Sequence, residues 1–142
     1  MEEGNAEEFE AEEAREGVSP KVLRCTVEVG VESEAFIGGV DLSVEYPQDR
    51  VEFDAGFGVR LAGDYPQTML GFNDLGRKVK VGVMNASGLP SNGASLVKMV
   101  FRLKGEGDSV LSASDFQVHS SCFDLDGRSV GCRPHLIVSE CN

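Results

Sequence analysis

From Ser19-Pro20 onward, apolar residues recur at every second position, the spacing that sends alternate side chains to opposite faces of a β-sheet. Leu23, Cys25, Val27, Val29 and Val31 fall on one side, with Arg24, Thr26 and Glu28 on the other. This pattern predicts a half-buried strand. After Gly38-Gly39, Val40, Leu42, Val44 and Tyr46 alternate with Asp41, Ser43 and Glu45. Pro47 ends that second strand, because proline has no N–H to donate to a ladder. Further strands are expected at Val51–Phe53, Thr68–Phe72, Lys78–Met84, Ala94–Leu103, Phe116–Phe123 and Leu136–Cys141. Turn clusters separate them, at Asn73-Asp74-Leu75-Gly76, at Ser87 to Gly93 and at Gly105-Glu106-Gly107-Asp108. Eight or nine strands with no amphipathic helix after residue 20 predict an all-β fold, a two-sheet β-sandwich or jelly roll.

The first residues follow another rule. Residues 1–19 hold eight Glu and one Arg, a net charge of −7, with Phe9 as their large apolar side chain. Lacking an apolar face that could dock, they read as an acidic tail or linker, and residues 20–142 read as the single domain. The whole chain has 142 residues and carries −11, so twelve cations and sixteen acids leave the domain itself at −4. With no cluster of Lys and Arg, it has no electrostatic grip on a phosphate backbone or an anionic membrane surface, which disfavours nucleic acid as a partner. No apolar run approaches the ~20 residues of a membrane-spanning helix, so membrane insertion is not expected. Met1 is followed by Glu and Gly, not by a charged-then-apolar leader. An exported protein would therefore carry this chain as a mature piece.

Catalytic chemistry finds little to build on. A nucleophilic enzyme needs Ser or Cys beside a His base, often on a strained turn such as G-x-S-x-G, and no such turn occurs. His119 lies within an expected strand and His135 follows Pro134, so both read as surface or packing residues. Asp41 and Glu45 share a strand face, but a glycosidase would surround such a pair with a deep cleft and stacking aromatics. The chain has no Trp and two Tyr. Asp124-Leu125-Asp126-Gly127 has the D-x-D-G spacing of part of a calcium loop, yet the twelfth position is His135, not the bidentate Glu that completes an EF-hand. Asp124 and Asp126 are thus a weak candidate for structural calcium, and an Asp-Gly turn between strands accounts for them equally. Asn85-Ala86-Ser87 matches the N-glycosylation pattern, which matters only in a secretory pathway.

Cys25, Cys122, Cys132 and Cys141 are separated by 97, 10 and 9 residues, with no C-x-x-C pair. An even count in an all-β chain suits two disulfides, and four cysteines allow three connectivities. The hairpin-type turn at Asp126-Gly127 favours Cys122 with Cys132, leaving Cys25 with Cys141 to tie the first strand to the last. Four buried free thiols in a cytosolic protein would be the alternative.

The order of these pieces resembles the cohesin domain. Gly38-Gly39-Val40-Asp41-Leu42-Ser43-Val44-Glu45-Tyr46-Pro47, then Val51-Glu52-Phe53, is similar to a cohesin strand that ends in a tyrosine-containing turn before a short apolar strand. Gly71-Phe72-Asn73-Asp74, Arg77 to Val81, Asn85-Ala86-Ser87-Gly88 and Asn92 to Phe101 resemble the pieces that follow, and the likeness spans about residues 21–141. The resemblance implies a nine-stranded jelly roll without a catalytic site. It would bind a dockerin-bearing protein on the exposed face of one sheet, in an extracellular or cell-surface assembly. The calcium that dockerins need to fold would belong to the partner. Carried over by position, Asp41 falls where cohesins often place a contacting acid, and Phe72, Asn85 and Gly88 fall near other contact positions. Gly39 stands where many cohesins have a polar contact, and Pro47 replaces the Asp that commonly follows the tyrosine.

Read without that resemblance, Asp41, Ser43 and Glu45 beside strands ending in Phe72 and Asn85 form a polar plateau with an aromatic anchor, a surface suited to a helical partner. A carbohydrate-binding sandwich that takes up polysaccharide on a planar aromatic strip is the second class, and the lack of Trp counts against it. A structural subunit of a surface assembly, joined through the tail or an edge strand, is the third.

Overall fold

The computed structural model describes residues 23–105 and 111–142. The expected acidic tail, residues 1–19, and most of the turn at 105–108 lie outside the described residues. Ten strands form two sheets packed face to face: β1 (Arg24–Glu32), β2 (Ile37–Glu45), β3 (Val51–Phe53), β4 (Val59–Leu61), β5 (Met69–Asp74), β6 (Lys78–Leu89), β7 (Asn92–Leu103), β8 (Gln117–Phe123), β9 (Ser129–Val130) and β10 (Arg133–Cys141). Sheet A runs β10-β1-β7-β3, with β4 beside β3 along the same flank of β7; sheet B runs β5-β6-β2-β8-β9. Every pairing is antiparallel. One short 3-10 turn, Ala113–Asp115, leads into β8.

The alternation along β1 and β2 places side chains as expected. Cys25, Val27, Val29 and Val31 of β1 and Val40, Leu42 and Val44 of β2 are buried between the sheets, whereas Arg24 and Asp41 face water. Phe101 on β7 is fully buried and packs against Tyr46, Phe53 and Phe116 with ring centroids 5.0, 5.8 and 5.2 Å away. Cavity-forming replacement of such a ring by Ala costs about 3–5 kcal/mol. Tyr46 closes the end of β2, where its hydroxyl donates to Asp74 Oδ1 at 2.8 Å. Burial, and then that carboxylate, push the Tyr46 hydroxyl well above its ordinary pKa.

Both favoured disulfides are formed. Cys25 and Cys141 stand directly opposite each other in the β1–β10 ladder and join strands 116 residues apart in sequence. Cys122–Cys132 links β8 to the segment entering β10, across 10 residues. Between them the Asp-Gly turn folds as expected: Asp124 Oδ1 accepts the N–H groups of Asp126 and Arg128, each at 2.9 Å, and Gly127 takes a left-handed φ of +83°. One Asp124 carboxylate oxygen is therefore committed to the turn's backbone.

Two short strands, β4 and β9, add to those expected from the sequence. Three residues between glycine-containing loops, and two after a turn, are too few to display a period. β6 also runs five residues beyond Met84, to Leu89, through the expected turn at Ser87-Gly88, because Gly88 takes a φ of +110° where the β2–β6 register shifts.

Candidate partner-binding face

The outer face of sheet B is built row by row from the strand registers. Residues directly opposite one another in an antiparallel pair share a face. Asp41 on β2 is flanked by Gly82 on β6 and Ser121 on β8, Ser43 by Lys80 and His119, and Glu45 by Lys78 and Gln117. Beyond β6, Gly82, Lys80 and Met84 stand opposite Gly71, Asn73 and Met69 of β5. Asp41, Ser43 and Glu45 are thus brought together as the alternation required, with His119 beside them.

The row above Asp41 is apolar. Gly39 lies between Met84 and Phe123, and with Gly82 and Gly71 it leaves the middle of the sheet without side chains. Met69 and Met84 stand over this floor on one side, and Phe123 and Leu125 on the other, around an open groove of about 820 Å³. Met69 is 71% exposed and Met84 60%. The Asp41 carboxylate leans into the groove over Gly82, where a Cβ would meet its Oδ1 at 3.6 Å. Gly38 admits the β8–β9 turn at the groove's end, since a Cβ there would lie 2.9 Å from the Asp124 carbonyl oxygen. Cross-strand neighbours supply Lys78 opposite Glu45, but Asp41 has no cation opposite it and joins no ion pair among the described residues.

Three expected contact residues stand elsewhere. Phe72 is opposite the buried Val81, so it belongs to the inner side of β5, away from Asp41. Its ring packs on Phe53 at 6.0 Å and covers Gly58, where a Cβ would lie 2.9 Å from the ring tip. The aromatic residue that does reach the groove is Phe123. Asn85 is 8% exposed, and its Nδ2 donates to the Pro66 carbonyl and to Thr68 Oγ1, both at 2.9 Å. Its amide ties the chain entering β5 to β6, and the glycosylation pattern it begins is spent on packing. Gly88 serves the backbone at the far end of β6. The groove itself escaped sequence reasoning, although Gly39, Gly71 and Gly82 interrupting alternating strands were the available signal.

Remote from this face, Glu32 on β1 accepts from both Arg133 and His135 on β10, His135 at 3.1 Å, and these partners, His135 first, hold the Glu32 carboxyl below its ordinary pKa.

No protein-family model and no curated protein matches the sequence. Solved structures that share the fold include three cohesins. A non-cellulosomal cohesin from the hyperthermophilic archaeon Archaeoglobus fulgidus superimposes with a TM-score of 0.59 at 24% identity, over 84% of each chain. The type II cohesin A11 from Bacteroides cellulosolvens gives 0.53 at 16% identity, over 81% of this chain and 89% of that one. The sixth cohesin of scaffoldin B from Acetivibrio cellulolyticus, solved in complex with a Cel5 dockerin mutant, gives 0.51 at 17%, over 72% and 81%. The chain therefore has a cohesin-like fold, the two-sheet jelly-roll sandwich expected from its sequence.

Proposed function

We propose that this chain is a non-catalytic interaction module, working outside the cell or on its surface, that binds a dockerin-type partner on the outer face of sheet B. The observation that carries this reading is the groove, where exposed Met69, Met84 and Leu125 surround a floor of glycines beside an uncompensated Asp41. An exposed apolar groove with one polar anchor is what a helical partner uses, and the charge gives it orientation. The Acetivibrio cohesin of the same fold was solved with a dockerin bound. Two disulfides suit an oxidising compartment. A sugar-binding sandwich would stack its ligand on coplanar rings, and among the described residues this face offers Phe123 alone.

The test is calorimetric titration of the purified chain with a panel of calcium-loaded dockerins that includes the Acetivibrio Cel5 dockerin. Binding to at least one is expected, lost with Asp41→Lys and retained with Phe72→Ala. Failure of every dockerin, or indifference to Asp41→Lys, would contradict the reading.

A further inference from the structure

We propose that the chain pairs with a second copy of itself along β5, joining two B sheets edge to edge. Natural sandwiches protect their open edges with short strands, charges, prolines or bulges. Among the described residues, both edges of sheet A follow that rule: β3 and β4 have three residues each, and β10 carries Arg133, Pro134 and Glu140, with a register shift where it pairs with β1. Sheet B is less protected, since β9 covers only Cys122 and Phe123 of β8, and β5 is the longer of its two open edges. β5 spans six residues, Met-Leu-Gly-Phe-Asn-Asp, without Lys, Arg or Pro, and pairs with β6 in unbroken register. Among the described residues its backbone makes no ladder on the other side.

Exposed apolar side chains gather at the same place. Met69, Phe72, Leu75 and Met84, four of the seven exposed large hydrophobic residues among those described, lie on β5, just after it or directly across from it. Asn85 holds the entry to this strand in place through Pro66 and Thr68, so the edge is presented as a strand, not as a loop.

A second copy is the occupant that the strand's own sequence fits. In an antiparallel pair centred on Gly71, each Gly71 faces the copy's Gly71, Leu70 faces the copy's Phe72, Met69 faces the copy's Asn73 and Thr68 faces the copy's Asp74. Side-chain parity is preserved at every position, because residues equally far from the centre share a face. No like charges meet, despite a chain carrying −11. Asp74 is already engaged by the Tyr46 hydroxyl and the Gly76 N–H. Nothing lies within 4 Å of where a Gly71 Cβ would be, so the outer face is open above the centre of the strand. On the outer face the pairing brings Gly82 and Gly71 of each copy into one line, merging the two glycine floors into a trough with an Asp41 at each end.

Sedimentation velocity of the oxidised chain alone, from about 10 μM to about 1 mM, tests this without any dockerin, the range covering weak protein pairs. A concentration-dependent monomer–dimer equilibrium is expected. Gly71→Lys and Gly71→Glu each place like charges face to face and should weaken it about tenfold or more. Both substitutions enter open space, and circular dichroism checks that they fold. An equimolar mixture of the two variants should recover the dimer as a heterodimer. A monomer throughout the wild-type series overturns the proposal, as does a dimer indifferent to both substitutions or a mixture that stays monomeric.

Discussion

Removing the two disulfides separately should have unequal costs, and the inequality follows from topology. Cys25–Cys141 closes a loop of 116 residues and Cys122–Cys132 one of 10. In the chain-entropy description a crosslink restricts the unfolded ensemble by an amount that grows with the logarithm of loop length. At 25 °C this gives about 5 kcal/mol for the first bridge and about 2.7 kcal/mol for the second. Each pair has one fully buried member, Cys25 or Cys122, and one half-buried member, so the packing lost on replacement by Ala is similar and largely cancels in the comparison. The double variant Cys25→Ala/Cys141→Ala should therefore be about 2 kcal/mol less stable than Cys122→Ala/Cys132→Ala. At about 4 °C per kcal/mol this separates the melting temperatures by roughly 8 °C. Urea and thermal unfolding followed by circular dichroism without reductant measure the two differences. Equal costs, or a larger cost for the short loop, would refute the entropic argument and place the stabilisation in the native state.

Other expectations follow from the same contacts. Tyr46→Phe loses the bond to Asp74 and should cost about 1 kcal/mol in denaturant titration. Because the native hydroxyl stays protonated where the unfolded one ionises, wild-type stability should fall as pH rises past about 10, and the Phe variant should lack that slope. On the acid side, the carboxyls of Asp54 and Asp115 are held below their ordinary range, chiefly by the Phe57 and Ser112 backbone N–H groups respectively. They stay charged while the unfolded chain takes up protons, so stability should decline as pH drops through about 4, more shallowly in Asp115→Asn. Gly58→Ala adds a Cβ against the Phe72 ring at a φ of +73° and should cost about 1–3 kcal/mol by thermal unfolding.

The long strands were legible because each buries one face. A run such as Val40-Asp41-Leu42-Ser43-Val44 admits one register against a core, and the same rule placed Asp41, Ser43 and Glu45 together on the water side. The cysteine pairing was legible from the Asp126-Gly127 turn, which needs only local chemistry. Phe72 was harder. Its parity within β5 is inward, but β5 is an edge strand, and a ring at the rim of a sandwich is 44% exposed while still packed on Phe53. Exposure and face are separable there, and one strand's pattern does not say which edge it occupies. Asn85 lies at an inward position too, and only the returning Pro66–Thr68 segment, brought beside it by the fold, supplies its partners. The groove depends on three glycines from three strands falling in adjacent rows, a property of pairing between strands and not of any one of them.

The central claim is that partner binding belongs to the outer face of sheet B. Its most direct test is amide chemical-shift mapping of the isotope-labelled chain, titrated with a calcium-loaded dockerin that calorimetry shows to bind. The account predicts shifts concentrated at Gly39, Asp41, Gly82, Met84, Ser121 and Phe123, with the sheet A residues Thr26, Glu28, Lys98 and Arg102 unmoved. Shifts concentrated on sheet A, or on the β1–β10 end around Glu32 and His135, would contradict it.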